Sequence, residues 1–221
     1  MHFEILVEDQ SGKKALDILF PKIIGDEHTF IVHPYKGIGR IPQNLGKKND
    51  ASKRILLDQL PKLLQGYGNT FSNYPDDYQA AVILVCDLDQ KCLKAFLKEL
   101  RAILDACNPK PETRFCIAIE ESEAWFLGDI QAIKSAYPRA KDAILNGYVN
   151  DSICDTWEKL ADAVYPGGAS ALKSKGWQTV GAEKSQWAEK ISLHMDVDNN
   201  VSSSFGYFRR KVLELVGAGG G

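Results

Sequence analysis

Two aspartates close an apolar run in this chain: Ala81-Val82-Ile83-Leu84-Val85-Cys86-Asp87-Leu88-Asp89. The run is rich in aliphatic and β-branched residues and predicts a buried strand. Carboxylates at the tip of such a strand are costly to bury unless positive charge compensates. A divalent cation is a common compensation, and Mg²⁺ takes one or two protein carboxylates together with phosphate oxygens. Residues i and i+2 of a strand face the same way, so Asp87 and Asp89 are predicted to share one ion. The competing explanation is helix capping, because the segment from Gln90 onward has helical character and aspartate caps helices. Capping accounts for one aspartate more easily than for two.

Two further predicted strands end in acidic residues. Glu8 ends the apolar segment 2–8, and Glu120, Glu121 and Glu123 follow Phe115–Ile119. Between these lie segments with helical spacing: 13–24 (Ala15, Leu16, Leu19, Ile23), 51–64 (Ile55, Leu56, Leu60, Leu63) and 91–106 (Leu93, Phe96, Leu97, Leu100, Ile103, Leu104). Pro21 predicts an early end or a kink in the first, and Pro61 weakens the second. A further strand is predicted at 28–33, a loop over 34–50 and turns over 66–78. Beyond Ser122 the chain reads as helices and loops alone. Strands alternating with helices imply an α/β protein with a mostly parallel central sheet flanked by helices, and a helical C-terminal half. The expected division is an α/β domain over 1–128, a helical extension packed on it over 129–216, and a flexible tail over 217–221. Ligands of open parallel sheets bind beyond the carboxyl ends of the strands. That rule gathers Glu8, Asp87, Asp89, Glu121 and Glu123 on one edge as candidate metal ligands.

With 221 residues, 25% of them charged, the chain is long enough for one substantial core. The net charge is −2, so no global field favours nucleic acid and any such contact must be local. One local candidate exists. From Lys36 to Arg54 the chain carries Lys36, Arg40, Lys47, Lys48, Lys53 and Arg54 against Asp50 alone. A plain solvated loop explains this segment; a phosphate-backbone contact is its rival. Lys36-Gly37-Ile38-Gly39-Arg40 falls short of the dinucleotide fingerprint, and Gly46-Lys47 lacks the Ser or Thr of a Walker A loop. The four histidines have no ligand spacing, which argues against zinc. No Gly-x-Ser-x-Gly elbow is present, which argues against a Ser-His-Asp hydrolase. Trp125, Trp157, Trp177 and Trp187 are expected in the core, with base stacking the minority alternative. Five unpatterned cysteines and the lack of a signal peptide imply a reducing cytoplasm, and no apolar stretch is long enough to span a bilayer. Lys184 is expected near a helix start; folded back over the sheet edge, it could neutralise charge on a transferring phosphate.

A glutamate at the end of strand one and a later strand ending Asp-x-Asp resemble the Toprim fold, shared by topoisomerases, bacterial primases, maturation ribonucleases and OLD-type nucleases. Glu8 matches the glutamate, and Asp87 and Asp89 match the pair. The chain more closely resembles a bacterial family of unknown function with a Toprim-like sheet. The matching motifs are Glu121-Ser122-Glu123-Ala124-Trp125-Phe126-Leu127-Gly128-Asp129, a lysine before Trp-Ala (Lys184), and Asn200-Val201-Ser202-Ser203-Ser204-Phe205. One departure is Asp9, where Toprim proteins usually carry glycine; it adds charge beside the proposed metal and alters the turn.

The resemblance implies a Toprim-like fold and a metal site, and it makes phage defence a plausible setting. Together with the acidic edge it leads to a Mg²⁺-dependent (or Mn²⁺-dependent) nuclease or related phosphoryl-transfer enzyme. Asp87 and Asp89 would hold the metal, with help from Glu121 or Glu123. Glu8 would ligate or act as general base, Lys184 would stabilise developing charge, and the Lys36–Arg54 loop would hold the nucleic-acid backbone. Two rivals stand beside it: a non-catalytic regulatory or partner-binding protein, and an enzyme acting on free nucleotides. A protein partner or a homo-oligomer fits any of these readings.

Overall fold

Alternation of side chains along each strand decides how this chain layers. In β1 (His2–Val7), Phe3, Ile5 and Val7 point to one face and Leu6 to the other; in β3 (Ala80–Asp87), Ala81, Ile83 and Val85 oppose Val82, Leu84 and Cys86. Both faces are apolar, so both must be covered, which explains the continuous hydrophobic runs. The computed structural model describes residues 1–42, 54–119, 121–152 and 155–218. Among them the chain forms four strands and ten helices. The remaining strands are β2 (Thr29–Pro34) and β4 (Thr113–Ala118). All pair in parallel, in the order β2-β1-β3-β4. The fold is α/β, as expected.

One face is covered by α1 (Gln10–Ile24) and by helices of the C-terminal half; the other by α2 (Leu56–Phe71) and α3 (Leu93–Asp105). The C-terminal helices are α4 (Glu123–Leu127), α5 (Ile130–Ala136), α6 (Asp142–Asn146), α7 (Thr156–Val164), α8 (Gly168–Lys173), α9 (Trp177–His194) and α10 (Ser203–Ala218). Trp125, Trp187, Ile191, Phe205 and Phe208 share one cluster with β1, β3 and α1, so residues on both sides of position 128 bury one another. The last helix takes in Gly217 and Ala218, the start of the expected tail. Among the described residues no helix is long and apolar enough to cross a membrane.

Two local expectations are corrected. Pro21 does not end α1, which continues to Ile24; Gly25 then closes it with an N–H to the Pro21 carbonyl. The segment expected to be turn-rich from Gly66 is instead helical as far as Phe71. Glycine there serves a close approach: a Cβ on Gly68 would lie 1.9 Å from the Pro109 carbonyl oxygen. The expected helix from Ala51 begins at Leu56; 51–53 lie outside the described residues.

Strand order sets the site. The chain passes from β1 to one neighbour, β2, and then crosses over to β3 on the other side of β1. The carboxyl ends of β1 and β3 therefore flank the topological switch point, where open parallel sheets leave a crevice for ligands. Glu8 follows β1, Asp87 ends β3, and Glu121 and Glu123 follow β4 beside it.

Candidate functional site

Glu8 sits at the mouth of the crevice, and its Oε2 is buried without a hydrogen-bond partner. Burial, with the negative charges of Asp89 and Asp9, pushes its carboxyl up to about 7; the Asp87 backbone and Lys184 pull the other way. Asp9 caps α1: its Oδ1 accepts from the Gly12 N–H at 2.8 Å, and both oxygens accept from Ser11 Oγ. The residue that departs from the Toprim pattern is thus a helix cap next to the site. Asp87 accepts a hydrogen bond from Ser122 Oγ at 2.7 Å. Burial first, and then Glu8, hold its carboxyl well above the usual range.

Asp89 is placed differently from expectation. The strand ends at Asp87, Leu88 turns into the core, and Asp89 adopts a left-handed backbone (φ +50°). Its half-exposed carboxylate pairs with Lys91 at 2.9 Å. The same-face argument for Asp87 and Asp89 therefore does not apply, although Asp89 remains close enough to raise the Glu8 pKa.

Lys184 lies two turns inside α9, not at a helix start. Its Nζ is 3.2 Å from Glu123 Oε2 and 4.0 Å from Glu121 Oε1. Burial alone would lower its pKa, but Glu123, Asp87, Glu121 and Asp9 outweigh burial and keep it charged. One ammonium shared among four carboxylates does not satisfy them all. Burial still raises Glu123, 1% exposed, to about 7 despite Lys184. Glu121 also holds a helix: its Oε2 accepts from Thr156 Oγ1 and the Trp157 N–H, both at 3.0 Å, and so caps α7.

The position of α9 follows from its contacts with α1. Lys14 pairs with Glu189, and Lys22 donates to the carbonyls of Ser192, Leu193 and Met195, closing the C-terminus of α9. The two helices thus run in the same direction. Because α1 starts at the carboxyl edge of the sheet, Lys184 comes to lie beside that edge.

The late sequence motifs form a lock. Asn200 Nδ2 donates to the Trp125 carbonyl at 2.7 Å, and Trp125 Nε1 donates to Ser204 Oγ at 3.0 Å. A Cβ on Gly128 would stand 2.3 Å from Asn200 Oδ1. Asp151 accepts from the Ser203 and Ser204 N–H groups and from the hydroxyls of Ser202, Ser203 and Ser204, which caps α10 from a distance. Asp129 caps α5 through Ala132 and receives the Asp196 N–H.

The start of the basic loop lies against β1. Gly37 N–H donates to the Glu8 carbonyl at 3.0 Å, and Lys36 N–H to the Arg54 carbonyl at 2.8 Å. Lys36, Arg40 and Arg54 are exposed near the acidic edge. Lys47, Lys48, Lys53 and Glu120 lie outside the described residues. Away from the edge, His33 and His2 flank Glu4 at 2.5 and 3.4 Å, so these histidines serve a hydrogen-bonded cluster within the sheet.

Several contributors carried no local signal. Ser122 was visible only as a spacer between two glutamates. Thr156 and Asp151 lie too far along the chain from their partners for spacing to betray them.

The donors at the crevice are carboxylate oxygens, the set a hard divalent cation prefers. The buried, unpartnered Oε2 of Glu8, beside Asp87, fits such a cation. Among the described residues no group of three or more His, Cys, Asp or Glu side chains forms a ready metal cage. Mg²⁺ does not require one, since it keeps water and binds through one or two carboxylates. Glu121 and Glu123 are less available, being engaged by α7 and Lys184.

A family model described as Domain of unknown function (DUF4276) matches residues 7–213. The chain belongs to that family. The match to DUF4276 begins beside Glu8 and takes in the acidic edge, Lys184 and both halves of the lock. No curated protein and no solved structure matches the chain.

Proposed function

We propose that this DUF4276 member is a Mg²⁺- or Mn²⁺-dependent nuclease, or a related phosphoryl-transfer enzyme acting on phosphodiesters. The observation that carries the reading is the pairing, at the topological switch point, of Glu8 and Asp87 with Lys184 alongside. The Toprim-like order of Glu8, Asp87 and Asp89 supports it. Glu8 and Asp87 would hold the cation, with Asp89 adding negative charge; when bound, the cation would neutralise phosphate oxygens and lower the pKa of water. Glu8, whose buried Oε2 has no hydrogen-bond partner, would ligate the cation or take a proton from the attacking water. Lys184, kept charged by its neighbours, would offset charge building on the phosphate. Lys36, Arg40 and Arg54 would hold flanking phosphates.

A second reading, a binding module without catalysis, draws on one observation: Lys184 already neutralises part of the acidic edge. Cleavage of DNA and RNA substrates with Mg²⁺ or Mn²⁺ separates the two. The expected result is metal-dependent cleavage that Asp87→Ala abolishes while circular dichroism and melting remain close to wild type. Cleavage retained by Asp87→Ala would refute the assignment. Turnover of free nucleotides with polymers left intact would move the activity to nucleotide substrates.

A further inference from the structure

Of the four tryptophans, Trp125, Trp157 and Trp187 are buried as expected, but Trp177 is 75% exposed. We propose that Trp177 is a stacking platform for an unpaired base of a single-stranded nucleic acid lying across the carboxyl edge of the sheet. The proposal deepens the phosphodiester reading and rests on it for the identity of the polymer.

The position of the ring comes from α9. Trp177 precedes Lys184 by seven residues, on the stripe that continues through Val180, Lys184, Trp187 and Ile191. Seven residues are two turns, about 10 Å along the axis. Since α9 runs in the direction of α1, and α1 begins at the carboxyl edge, these two turns project past that edge. Trp177 therefore overhangs the face that carries Glu8, Asp87 and Lys184. A second route leads to the same place. Glu121 holds the Trp157 N–H, and the Trp157 ring meets Trp177 edge-on, with centroids 6.2 Å apart at 64°. The indole is braced against a buried ring that is tied to the site, while three quarters of it remains exposed.

The surroundings favour a base over a protein partner. Lys173, Ser174, Lys175 and Gln178, its exposed neighbours in sequence, are polar or cationic. A protein interface needs a contiguous apolar patch, whereas a base needs one π-face and a cation for its phosphate. Lys173 and Lys175 are held in place, the first by Glu158 and the second by the Tyr165 hydroxyl. The first turn of α9 carries no acidic side chain to repel a phosphate.

The test is fluorescence anisotropy of labelled single-stranded DNA and RNA, with EDTA present so that cleavage plays no part. Wild type, Trp177→Ala and Trp177→Phe are compared, with a duplex of the same sequence as control. Expected is about a tenfold loss of single-strand affinity in Trp177→Ala, within the range for one stacked base. Trp177→Phe should retain most of the affinity, and the duplex should show no dependence on the ring. Equal affinity of Trp177→Ala and wild type overturns the proposal, as does absence of single-strand binding by wild type. A change of oligomeric state on Trp177→Ala, seen by sedimentation, also overturns it and assigns the ring to a contact between copies. Single-strand binding through Trp177 without metal-dependent cleavage would defeat the nuclease reading and leave the platform standing.

Discussion

Replacing Lys184 with methionine keeps most of the apolar stem and removes the ammonium held against Glu123 and Glu121. Glu123 is 1% exposed and cannot turn to water. Above pH 7 its carboxylate is charged and balanced by Lys184. Without the ammonium it either stays charged, at about 3–5 kcal/mol for an uncompensated buried charge, or takes up a proton. Taking up a proton at pH 7 by a group with a reference value of 4.5 costs about 3 kcal/mol, and about 1.4 kcal/mol more for each further pH unit. Wild-type Glu123, with its carboxyl at about 7, already bears most of this cost at neutrality, so Lys184→Met adds less than about 1 kcal/mol at pH 7 and about 1.4 kcal/mol for each pH unit above it, until the loss reaches that of an uncompensated buried charge; a loss of about 3 kcal/mol at alkaline pH corresponds to roughly 6–12 °C in Tm for a chain of this size. The sign is fixed by linkage. In the variant the folded-state pKa rises above the wild-type value of about 7, so the loss relative to wild type is complete above the variant's folded pKa and fades as pH falls to about 7, below which both proteins hold the proton. Urea denaturation of wild type, Lys184→Met, Glu123→Gln and the double variant at alkaline and mildly acidic pH measures this directly. The double variant should recover most of the loss. Lys184→Met as stable as wild type at alkaline pH, or a loss that does not shrink on acidification, would refute the argument.

Four further outcomes follow from the same geometry. Glu8 and Glu123 hold their protons up to about 7 in the fold but only to 4.5 when unfolded, so metal-free stability should fall as pH rises between those values. Added Mg²⁺ should raise Tm more above pH 7 than near pH 5, read by thermal shift; a pH-independent increment would argue against the acidic edge as the metal site. Asp151→Ala strips the cap from α10 and should cost about 2 kcal/mol in chemical denaturation. Gly128→Ala drives a methyl group onto Asn200 Oδ1 and should destabilise by about 1–3 kcal/mol, with Asn200→Ala recovering part of the loss.

The parallel sheet was legible because its signals are local. Runs such as 80–87 declare strands covered on both faces, and α3 shows its buried stripe at Phe96, Leu100, Ile103 and Leu104. From strand order follows the convergence of Glu8, Asp87 and the residues after β4. The errors lie where tertiary contacts outweigh local preference. Gly68 reads as a helix breaker, yet it sits inside a helix because the Pro109 backbone leaves no room for a side chain. Asp89 shares its sequence spacing with strand neighbours, but the chain leaves the strand one residue too early for that geometry. The exposure of Trp177 depends on how far α9 overhangs the sheet, which no spacing within 177–194 reveals.

The late motifs divide into two kinds of residue that the sequence presents as one. Glu121, Glu123 and Lys184 carry charge to the crevice. Trp125, Gly128, Asn200 and Ser204 carry none there, and instead bind α4 to the start of α10. Their role follows from the length of α4, which has five residues and cannot hold Glu123 in place by its own hydrogen bonds. Trp125, two residues after Glu123, is clamped at its carbonyl, at its indole N–H and by stacking on Phe208 with centroids 5.1 Å apart. Fixing Trp125 fixes the short helix, and with it the distance from Glu123 to Lys184. The lock therefore positions charge at one remove. It follows that a cavity made by Phe208→Ala should weaken the Lys184–Glu123 coupling measured in the double-variant comparison, beyond its own loss of stability. An unchanged coupling would show that α9 and the end of β4 hold the pair without help from the lock.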